Sequence, residues 1–140
     1  MVEFIEVEQA MQQAHLIGYS QRNRIPRSSG VYTAWLDGEP RCLYVGKAGE
    51  SANGNLKKRI QSHFSGQRGS DQFCLYIYDT YIHAERCRQN SEMTTKQIND
   101  WTGDWIRKRV KFRWIEISEQ QTSPVENEFQ RKWRPILNPL

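Results

Sequence analysis

Five side chains that could act on a phosphate ester lie close together in the sequence. They are two phenols, two cations and an imidazole: Tyr32, Tyr44, Lys47, Arg59 and His63. Phenols and imidazoles can transfer protons, while ammonium and guanidinium groups bind anions, and a guanidinium matches two phosphate oxygens at once. A reaction that moves protons on an anionic substrate could use both kinds of group, provided that the fold brings them to one place.

A predicted β-hairpin carries the two tyrosines. Residues 30–36 and 42–47 are rich in β-branched and aromatic side chains, and the segment between them has the composition of a turn. Successive side chains of a strand point to opposite faces. Each strand can therefore hold one tyrosine, Tyr32 or Tyr44, at a fixed point on one side of a small sheet.

A short helix predicted over residues 53–64 carries the next two candidates. Its buried stripe consists of apolar residues that recur at every fourth position: Leu56, Ile60 and Phe64. Arg59 and His63 are also four apart, so they lie on one face along the edge of that stripe. Taken alone, the pair is typical of a solvated helix edge, just as Tyr32 and Tyr44 taken alone are typical of core tyrosines.

A later helix carries a candidate metal ligand. Ser123 and Pro124 form a helix start signal, so the helix is expected to begin there, with Glu126 in its first turn. A carboxylate at this position could hold Mg²⁺ or a similar hard cation. The same spacing fits a capping box, in which the glutamate bonds back to the helix start. Glu116 and Glu128 are rival ligands.

Taken in order, these residues resemble the GIY-YIG nuclease family. The segments Gly30-Val31-Tyr32 and Tyr44-Val45-Gly46 are similar to the paired signature that gives the family its name. Lys47 and Arg59 stand where the family has a lysine after the second tyrosine and an arginine in the following helix.

The closing motif of that family is also matched. Glu126 heads a helix and Asn138 stands just after a proline-containing turn, so the likeness spans about residues 30–139. Read locally, Asn138 before Pro139 is a turn residue. An arginine followed four residues later by His63 is more similar to the restriction-enzyme-type branch than to the repair branch.

The resemblance implies a fold. We expect a small α/β (α+β) domain in which helices flank a three- to four-stranded, mainly antiparallel sheet, as in GIY-YIG endonucleases. The expected domain spans residues 1–140, with an N-terminal helix and basic loop at 1–29 and the catalytic core at 30–140. The segment 79–96 is the candidate insertion that could take part in target recognition.

The resemblance also implies an activity, namely endonucleolytic hydrolysis of phosphodiester bonds in DNA. Tyr32 would act as general base, with the nearby cations favouring its phenolate and His63 accepting its proton. Arg59 would bind the scissile phosphate, and Tyr44 would hydrogen-bond the phosphate or the attacking water. Lys47 would be one of the catalytic cations.

A single divalent metal per active site, Mg²⁺ or Mn²⁺, is implied by the same resemblance. Glu126 would hold it, since one carboxylate recurs in the motif, and the amide of Asn138 would orient a partner in the site. A nucleic-acid-binding module without turnover, or one that is active only with a partner protein, is the alternative function. A third hypothesis is that the chain is a structural or protein-interaction domain.

Basic residues outside the motif are expected to line or flank the nucleic acid. They are Arg22, Arg24, Arg27, Lys57, Lys58, Lys111 and Arg113. Contacts of this kind to phosphates position a protein without specifying a sequence. The expected partner is DNA, with RNA not excluded, and either a homodimer or a partner protein could supply target recognition.

Composition sets broader bounds. The chain has 140 residues and a formal net charge of +4, which suits one domain and permits a polyanionic partner. No apolar run is long enough to span a bilayer, so no membrane association is expected. The three cysteines lack disulfide or zinc spacing, which indicates a reduced, cytoplasmic protein.

The remaining elements are predicted from periodicity. We expect a helix from residue 3 to about 17, a strand at 72–78, a helix from about 94 to 108 with Ile98, Trp101 and Trp105 inward, and a strand at 110–114 with a basic outer face. The segment 79–92 has no readable pattern.

Overall fold

A three-stranded antiparallel sheet forms the centre of the computed structural model, which describes residues 3–89 and 92–139. The strands are β1 (Gly30–Leu36), β2 (Tyr44–Ala48) and β3 (Val110–Glu116), in the order β2-β1-β3. Tyr32 lies opposite Gly46 on β2 and Trp114 on β3. The predicted hairpin and the predicted antiparallel sheet are thereby confirmed.

Six α-helices surround this sheet in the described residues. They are α1 (Phe4–Gln13), α2 (Leu56–Phe64), α3 (Gln72–Ile77), α4 (His83–Gln89), α5 (Thr95–Arg109) and α6 (Glu119–Trp133). A 3₁₀ segment, Tyr19–Arg24, precedes β1, and a π-helical turn, Tyr78–Ile82, joins α3 to α4. None of the helices in the described ranges is both long and apolar enough to cross a bilayer.

The two faces of the sheet bury different clusters. One face carries Tyr32 and Phe112 and packs on Ile60 of α2 and Ile106 of α5. The other face carries Val31, which packs with residues of α1 and α6. Side chains that alternate along β1 and β3 therefore go to opposite cores, as the pleat requires.

The predicted strand at 72–78 is wrong, because these residues form α3. Asp71 caps the helix by accepting a hydrogen bond from the amide of Cys74. Phe73, Cys74 and Ile77 are buried whereas Leu75 is 37% exposed, so the buried positions follow helical and not strand spacing. The alternation of apolar and polar letters fits both periods over so short a segment.

Helix α6 begins at Glu119, one turn before the predicted start at Ser123. Pro124 therefore lies in the second turn of the helix, where its missing N–H removes one helical hydrogen bond. This rules out the capping box for Glu126, because Ser123 is itself a helical residue.

Three further predictions need smaller corrections. Helix α1 ends at Gln13, and Ile17 instead pairs with Phe112 across the edge of β3. Helix α5 is confirmed with a Thr94–Gln97 capping box, but Trp101 and Trp105 are only half-buried. In the predicted insertion at 79–96, residues 90 and 91 lie outside the described residues.

Candidate active site

A buried chain of hydrogen bonds runs from β1 into the loop before α3. The Tyr32 hydroxyl lies 2.7 Å from Nε2 of His63, and Nδ1 of His63 lies 2.8 Å from the Asp71 carboxylate. Because Nδ1 faces a carboxylate, it carries the imidazole proton, and Nε2 accepts the hydrogen bond from Tyr32. The three side chains form a path for a proton from a phenol to an imidazole that is held by an anion.

The Asp71 carboxylate is hydrogen-bonded to three neighbouring groups, of which the His63 imidazole is one. Its carboxylate also accepts hydrogen bonds from the Ser62 hydroxyl at 2.6 Å and from the Cys74 amide at 3.0 Å. Burial opposes the ionisation of Asp71, but the hydrogen bonds and the His63 charge outweigh it and lower its pKa to about 2. Asp71 is thus an anion at neutral pH and can stabilise an imidazolium.

Tyr32 reaches this chain because residue 46 is glycine. A Cβ on Gly46 would lie 2.3 Å from Cζ and 2.4 Å from the hydroxyl oxygen of Tyr32. The phenol therefore lies directly over the backbone of β2. The second glycine of the signature makes room for the first tyrosine.

The protonation of Tyr32 differs from the sequence-based expectation. Burial raises the pKa of Tyr32 well above its ordinary value, Tyr44 adds to the effect, and the charge of Arg59 opposes it. Burial thus outweighs the cations that were expected to favour the phenolate. The resting group is a neutral phenol hydrogen-bonded to His63.

Tyr44 lies beside Tyr32, but in the described part of the chain its hydroxyl lacks a hydrogen bond like the one between Tyr32 and His63. The two rings are 6.4 Å apart, and Tyr44 also packs edge-on against Phe73. Burial raises the pKa of Tyr44 to about 12, and the charges of Asp71 and Glu126 add to the shift. Tyr44 is half-buried, and within the described residues its hydroxyl has no hydrogen-bond partner, so it is available to a ligand.

An open cleft of about 300 Å³ lies at the edge of the sheet formed by β2, and it contains Arg59, whose charge acts on both tyrosines. Lys47 and Arg59 line it together with Glu119, Thr122 and Ser123 of α6 and the loop after β2. Lys47 donates a hydrogen bond to the Ser123 hydroxyl at 2.5 Å. Two cations from β2 and α2 therefore face a hydroxyl-bearing side of α6, which suits a phosphate group.

Glu126 belongs to the same site. It stands three residues after Ser123 on α6 and shares that face of the helix. Burial raises the pKa of Glu126, while the charges of Lys47 and Arg59 lower it. Its charge in turn raises the pKa of Tyr32. The carboxylate, the two cations and the phenol thus lie close enough to influence one another.

The donors around Glu126 are compatible with one hard cation. Its carboxylate is half-buried and, among the described residues, accepts no hydrogen bond. The described residues also contain no group of three His, Cys, Asp or Glu side chains that could form a metal cage. Mg²⁺ is commonly bound by one or two carboxylates, with water and phosphate oxygens completing its shell. Glu119, whose Oε1 accepts a hydrogen bond from the Glu50 amide, also lines the cleft, so Glu126 with or without Glu119 fits that pattern.

The rival carboxylates are engaged elsewhere. Glu116 accepts a hydrogen bond from the Ser28 hydroxyl at 2.6 Å. Glu128 forms an ion pair with Arg131 on the same helix. Neither contact involves a residue of the cleft.

Asn138 contacts backbone and not the cleft. Its side-chain amide donates to the Val45 carbonyl at 2.6 Å and accepts from the Val45 amide at 3.1 Å. The amide of Leu137 also donates to the Leu43 carbonyl. The C-terminal segment therefore covers the edge of β2 and fixes the strand that carries Tyr44, so the partner that Asn138 orients is β2 itself.

The predicted nucleic-acid-binding residues separate into two groups. Arg27 lies in the loop that accepts the first amide hydrogen bonds of α2, and Lys57 and Lys58 are in the first turn of that helix. Arg24 is exposed in the 3₁₀ segment, where Arg22 stacks on Tyr19 at 4.0 Å. All of these precede or belong to the helix that carries Arg59.

Lys111 and Arg113 are not brought to this site. They alternate with Phe112 on β3 and so lie on the sheet face opposite Tyr32. Lys111 pairs with Asp37 at 3.3 Å, and Arg113 stacks over Trp35 at 4.4 Å.

The sequence reasoning missed Asp71. It follows a glycine-containing loop and lies eight residues after His63, so neither helical nor strand spacing links the two. The one available signal was its position three residues before Cys74, which is that of a helix N-cap. Had α3 been recognised as a helix, the cap would have pointed to Asp71.

Comparison with known proteins identifies the family. A family model described as the GIY-YIG catalytic domain matches residues 20–139, which is nearly the whole chain. Neither the curated proteins nor the solved structures contain a significant match. The chain therefore belongs to the GIY-YIG family of nuclease-type domains.

Proposed function

We propose that the protein is a metal-dependent endonuclease that hydrolyses phosphodiester bonds in DNA. The observation that carries the proposal is the 2.7 Å hydrogen bond between the Tyr32 hydroxyl and Nε2 of His63. It gives the buried phenol an acceptor for its proton beside a cationic cleft.

Tyr32 acts as the general base through a proton relay. As a water attacks the phosphorus, its proton passes to the Tyr32 oxygen while the phenolic proton passes to Nε2 of His63. The Asp71 anion, 2.8 Å from Nδ1, stabilises the imidazolium that results. Tyr44 is the other tyrosine of the pair, but within the described residues its hydroxyl has no proton acceptor, which favours Tyr32 as the base.

The cleft binds the scissile phosphate. Arg59 is exposed at the cleft and matches two phosphate oxygens, while Lys47 adds a point charge on the β2 side. Glu126 would hold the divalent cation, Mg²⁺ or Mn²⁺. When bound, that ion would neutralise charge on the phosphate and on the leaving oxygen. The raised pKa of Glu126 supports this role, because burial leaves its anion short of compensation.

Contacts to phosphates supply affinity and not sequence specificity. Arg27, Lys57 and Lys58 cluster at the start of α2, next to the turn that carries Arg59. Binding through such residues weakens steeply with salt. Discrimination among DNA sites therefore requires a second copy of the chain or a partner protein.

The test is a nicking assay on supercoiled plasmid with Mg²⁺, Mn²⁺ or a chelator. Wild-type protein should nick with either ion and not with the chelator. Arg59→Gln should slow nicking by about 10²-fold, the usual cost of removing one donor to developing charge. Lys108→Gln, which removes an exposed charge paired with Asp104 on α5 and outside the cleft, is the matched control and should stay within about threefold of wild type.

The same assay distinguishes an endonuclease from the alternative function, a nucleic-acid-binding module without turnover. DNA binding without nicking by wild-type protein under every metal condition would contradict the enzyme and favour a binding module. A labelled RNA duplex run in parallel decides between DNA and RNA as substrate. Activity that appears only after addition of cell extract would indicate a required partner.

A further inference from the structure

The sheet face opposite Tyr32 holds a second cavity. Its volume is about 380 Å³, within the range of small-molecule sites. The side chains that define it are Trp35, Arg41, Arg113 and Trp133. This cavity has no lining residue in common with the cleft at Lys47 and Arg59, so the two are separate.

Two indole rings form its apolar walls. Trp35 and Trp133 meet edge to face, with ring centroids 5.7 Å apart. Each indole N–H is already used, since Trp35 donates to the Thr33 hydroxyl at 2.8 Å and Trp133 donates to Glu8 at 2.6 Å. The rings therefore offer apolar and π surface to the cavity, which suits a planar ring.

Two guanidinium groups supply positive charge. Arg113 stacks over Trp35 and donates through Nη1 to the Gln12 carbonyl at 3.0 Å. Its Nε is the one buried side-chain nitrogen or oxygen in the described part of the chain that lacks a hydrogen-bond partner. Arg41 donates Nε and Nη2 to the Arg134 carbonyl. The described lining includes no carboxylate.

We propose that this cavity binds one nucleotide unit. The base packs against the indole rings, and the phosphate oxygens accept hydrogen bonds from Arg41 and Arg113. A neutral ring alone would leave two guanidinium groups without an anion, and inorganic phosphate alone would leave the indoles uncovered. A nucleotide satisfies both halves of the cavity. It can arrive as a free mononucleotide or as the end of a strand, since the two present the same chemistry.

Calorimetric titration tests the proposal. The protein carries Arg59→Gln and is kept in chelator, so that the active-site cleft contributes little to binding. The probes are 5′-dAMP, deoxyadenosine, inorganic phosphate and a short 5′-phosphorylated oligonucleotide. We expect 5′-dAMP to bind at least about tenfold more tightly than either the nucleoside or phosphate alone. Saturation of the site by the oligonucleotide as well would identify a strand end as a second source of the same unit.

Variants assign the binding to the cavity. Arg113→Gln and, separately, the exposed Arg41→Gln should each weaken 5′-dAMP binding at least about fivefold. Arg88→Gln removes an exposed guanidinium that does not line the cavity and should leave binding unchanged. Thermal melts followed by circular dichroism show whether each variant is folded, and Arg41→Gln carries the test if Arg113→Gln does not fold. Absence of 5′-dAMP binding at millimolar concentration, or binding that neither variant weakens, would overturn the proposal.

Discussion

The buried and the open halves of the site satisfy their polar groups in opposite ways. In the buried half, Tyr32, His63 and Asp71 bond to one another at 2.7 and 2.8 Å. In the open half, the Tyr44 hydroxyl and the Glu126 carboxylate have no hydrogen-bond partner among the described residues, and Arg59 faces a cleft. In the buried half the polar groups find their hydrogen-bond partners within the protein, whereas in the open half they are left to bind a ligand.

This difference separates stability from function. Removing a member of the buried half should damage both, because an unpaired buried polar group costs about 1–3 kcal/mol. Removing a member of the open half should damage activity alone. The predictions below follow from this contrast, in order of decreasing effect on cleavage.

The largest effect is expected for Glu126→Gln. Loss of the proposed metal ligand should slow cleavage by about 10³-fold, or about 4 kcal/mol of transition-state stabilisation. Folding should not suffer. The folded state raises the pKa of Glu126 above its ordinary value of 4.5, so the charged form costs stability at neutral pH and glutamine removes that cost.

Single-turnover cleavage and thermal unfolding at pH 7 measure the two quantities. The melting temperature of the Gln variant should equal or exceed that of wild type, and the difference should shrink as the pH falls towards 4.5 and be absent below it. A variant that cleaves at the wild-type rate would remove Glu126 from the mechanism.

A matched pair of glycine substitutions tests the position of the phenol. Gly46→Ala would put a Cβ 2.3 Å from Tyr32, so the ring must move away from His63. We expect about 10²-fold slower cleavage, together with about 1–3 kcal/mol lower stability from overpacking. Gly18→Ala would place its Cβ in ordinary contact with the Lys111 side chain at 3.6 Å, away from the site, and should have little effect. Equal effects of the two substitutions on cleavage rate and urea unfolding would contradict the account.

Asp71→Asn should have a smaller effect on cleavage, about tenfold. Asparagine keeps the N-cap of α3 but removes the anion that stabilises the imidazolium. The acid limb of the pH–rate profile should shift to lower pH. A purely structural role for Asp71 would leave the shape of that profile unchanged.

The same substitution should also lower the free energy of unfolding, by an amount that depends on pH. The pKa of Asp71 falls from 3.8 to about 2 on folding, which contributes about 2 kcal/mol at neutral pH. This contribution is present above pH 3.8 and is lost as the pH falls towards 2. Urea unfolding at pH 7 should therefore show a less stable Asn variant, and at pH 2 the two proteins should converge.

The smallest effect concerns the basic residues beside α2. Arg27→Gln should weaken DNA binding only a few-fold and reduce the slope of log affinity against log salt by about one. Lys96→Gln, which removes an exposed charge already paired with Asp100, is the control. Salt titrations of the two variants that coincide would exclude Arg27 from the DNA interface.

Local patterns predicted the part of the site that lies on β1, β2 and α2. The hairpin is short-range, and its alternation fixes the faces of Tyr32 and Tyr44 without reference to other elements. Helix α2 likewise shows its own period through Leu56, Ile60 and Phe64. These are the elements on which sequence reasoning and structure agree.

Other features of the fold depend on tertiary contacts that local sequence patterns do not show. Residues 72–78 fit either period, and burial of Phe73 and Ile77 against α5 and the sheet selected the helix. The contact between His63 and Asp71 depends on how that helix is capped, so it could not be read from the sequence once the segment was predicted as a strand. The start of α6 was misplaced because Pro124 is typical of a first turn but is tolerated later in the helix.

The most direct test of the central claim is single-turnover cleavage by Tyr32→Phe, compared with Tyr81→Phe at a half-buried tyrosine outside the site. The account predicts that Tyr32→Phe is at least about 10²-fold slower than wild type while still folded and DNA-bound, since a general base contributes about 10²–10⁴-fold. Tyr81→Phe should cleave at the wild-type rate. Cleavage by Tyr32→Phe within about threefold of wild type would contradict the proposal that the Tyr32–His63–Asp71 relay activates the water.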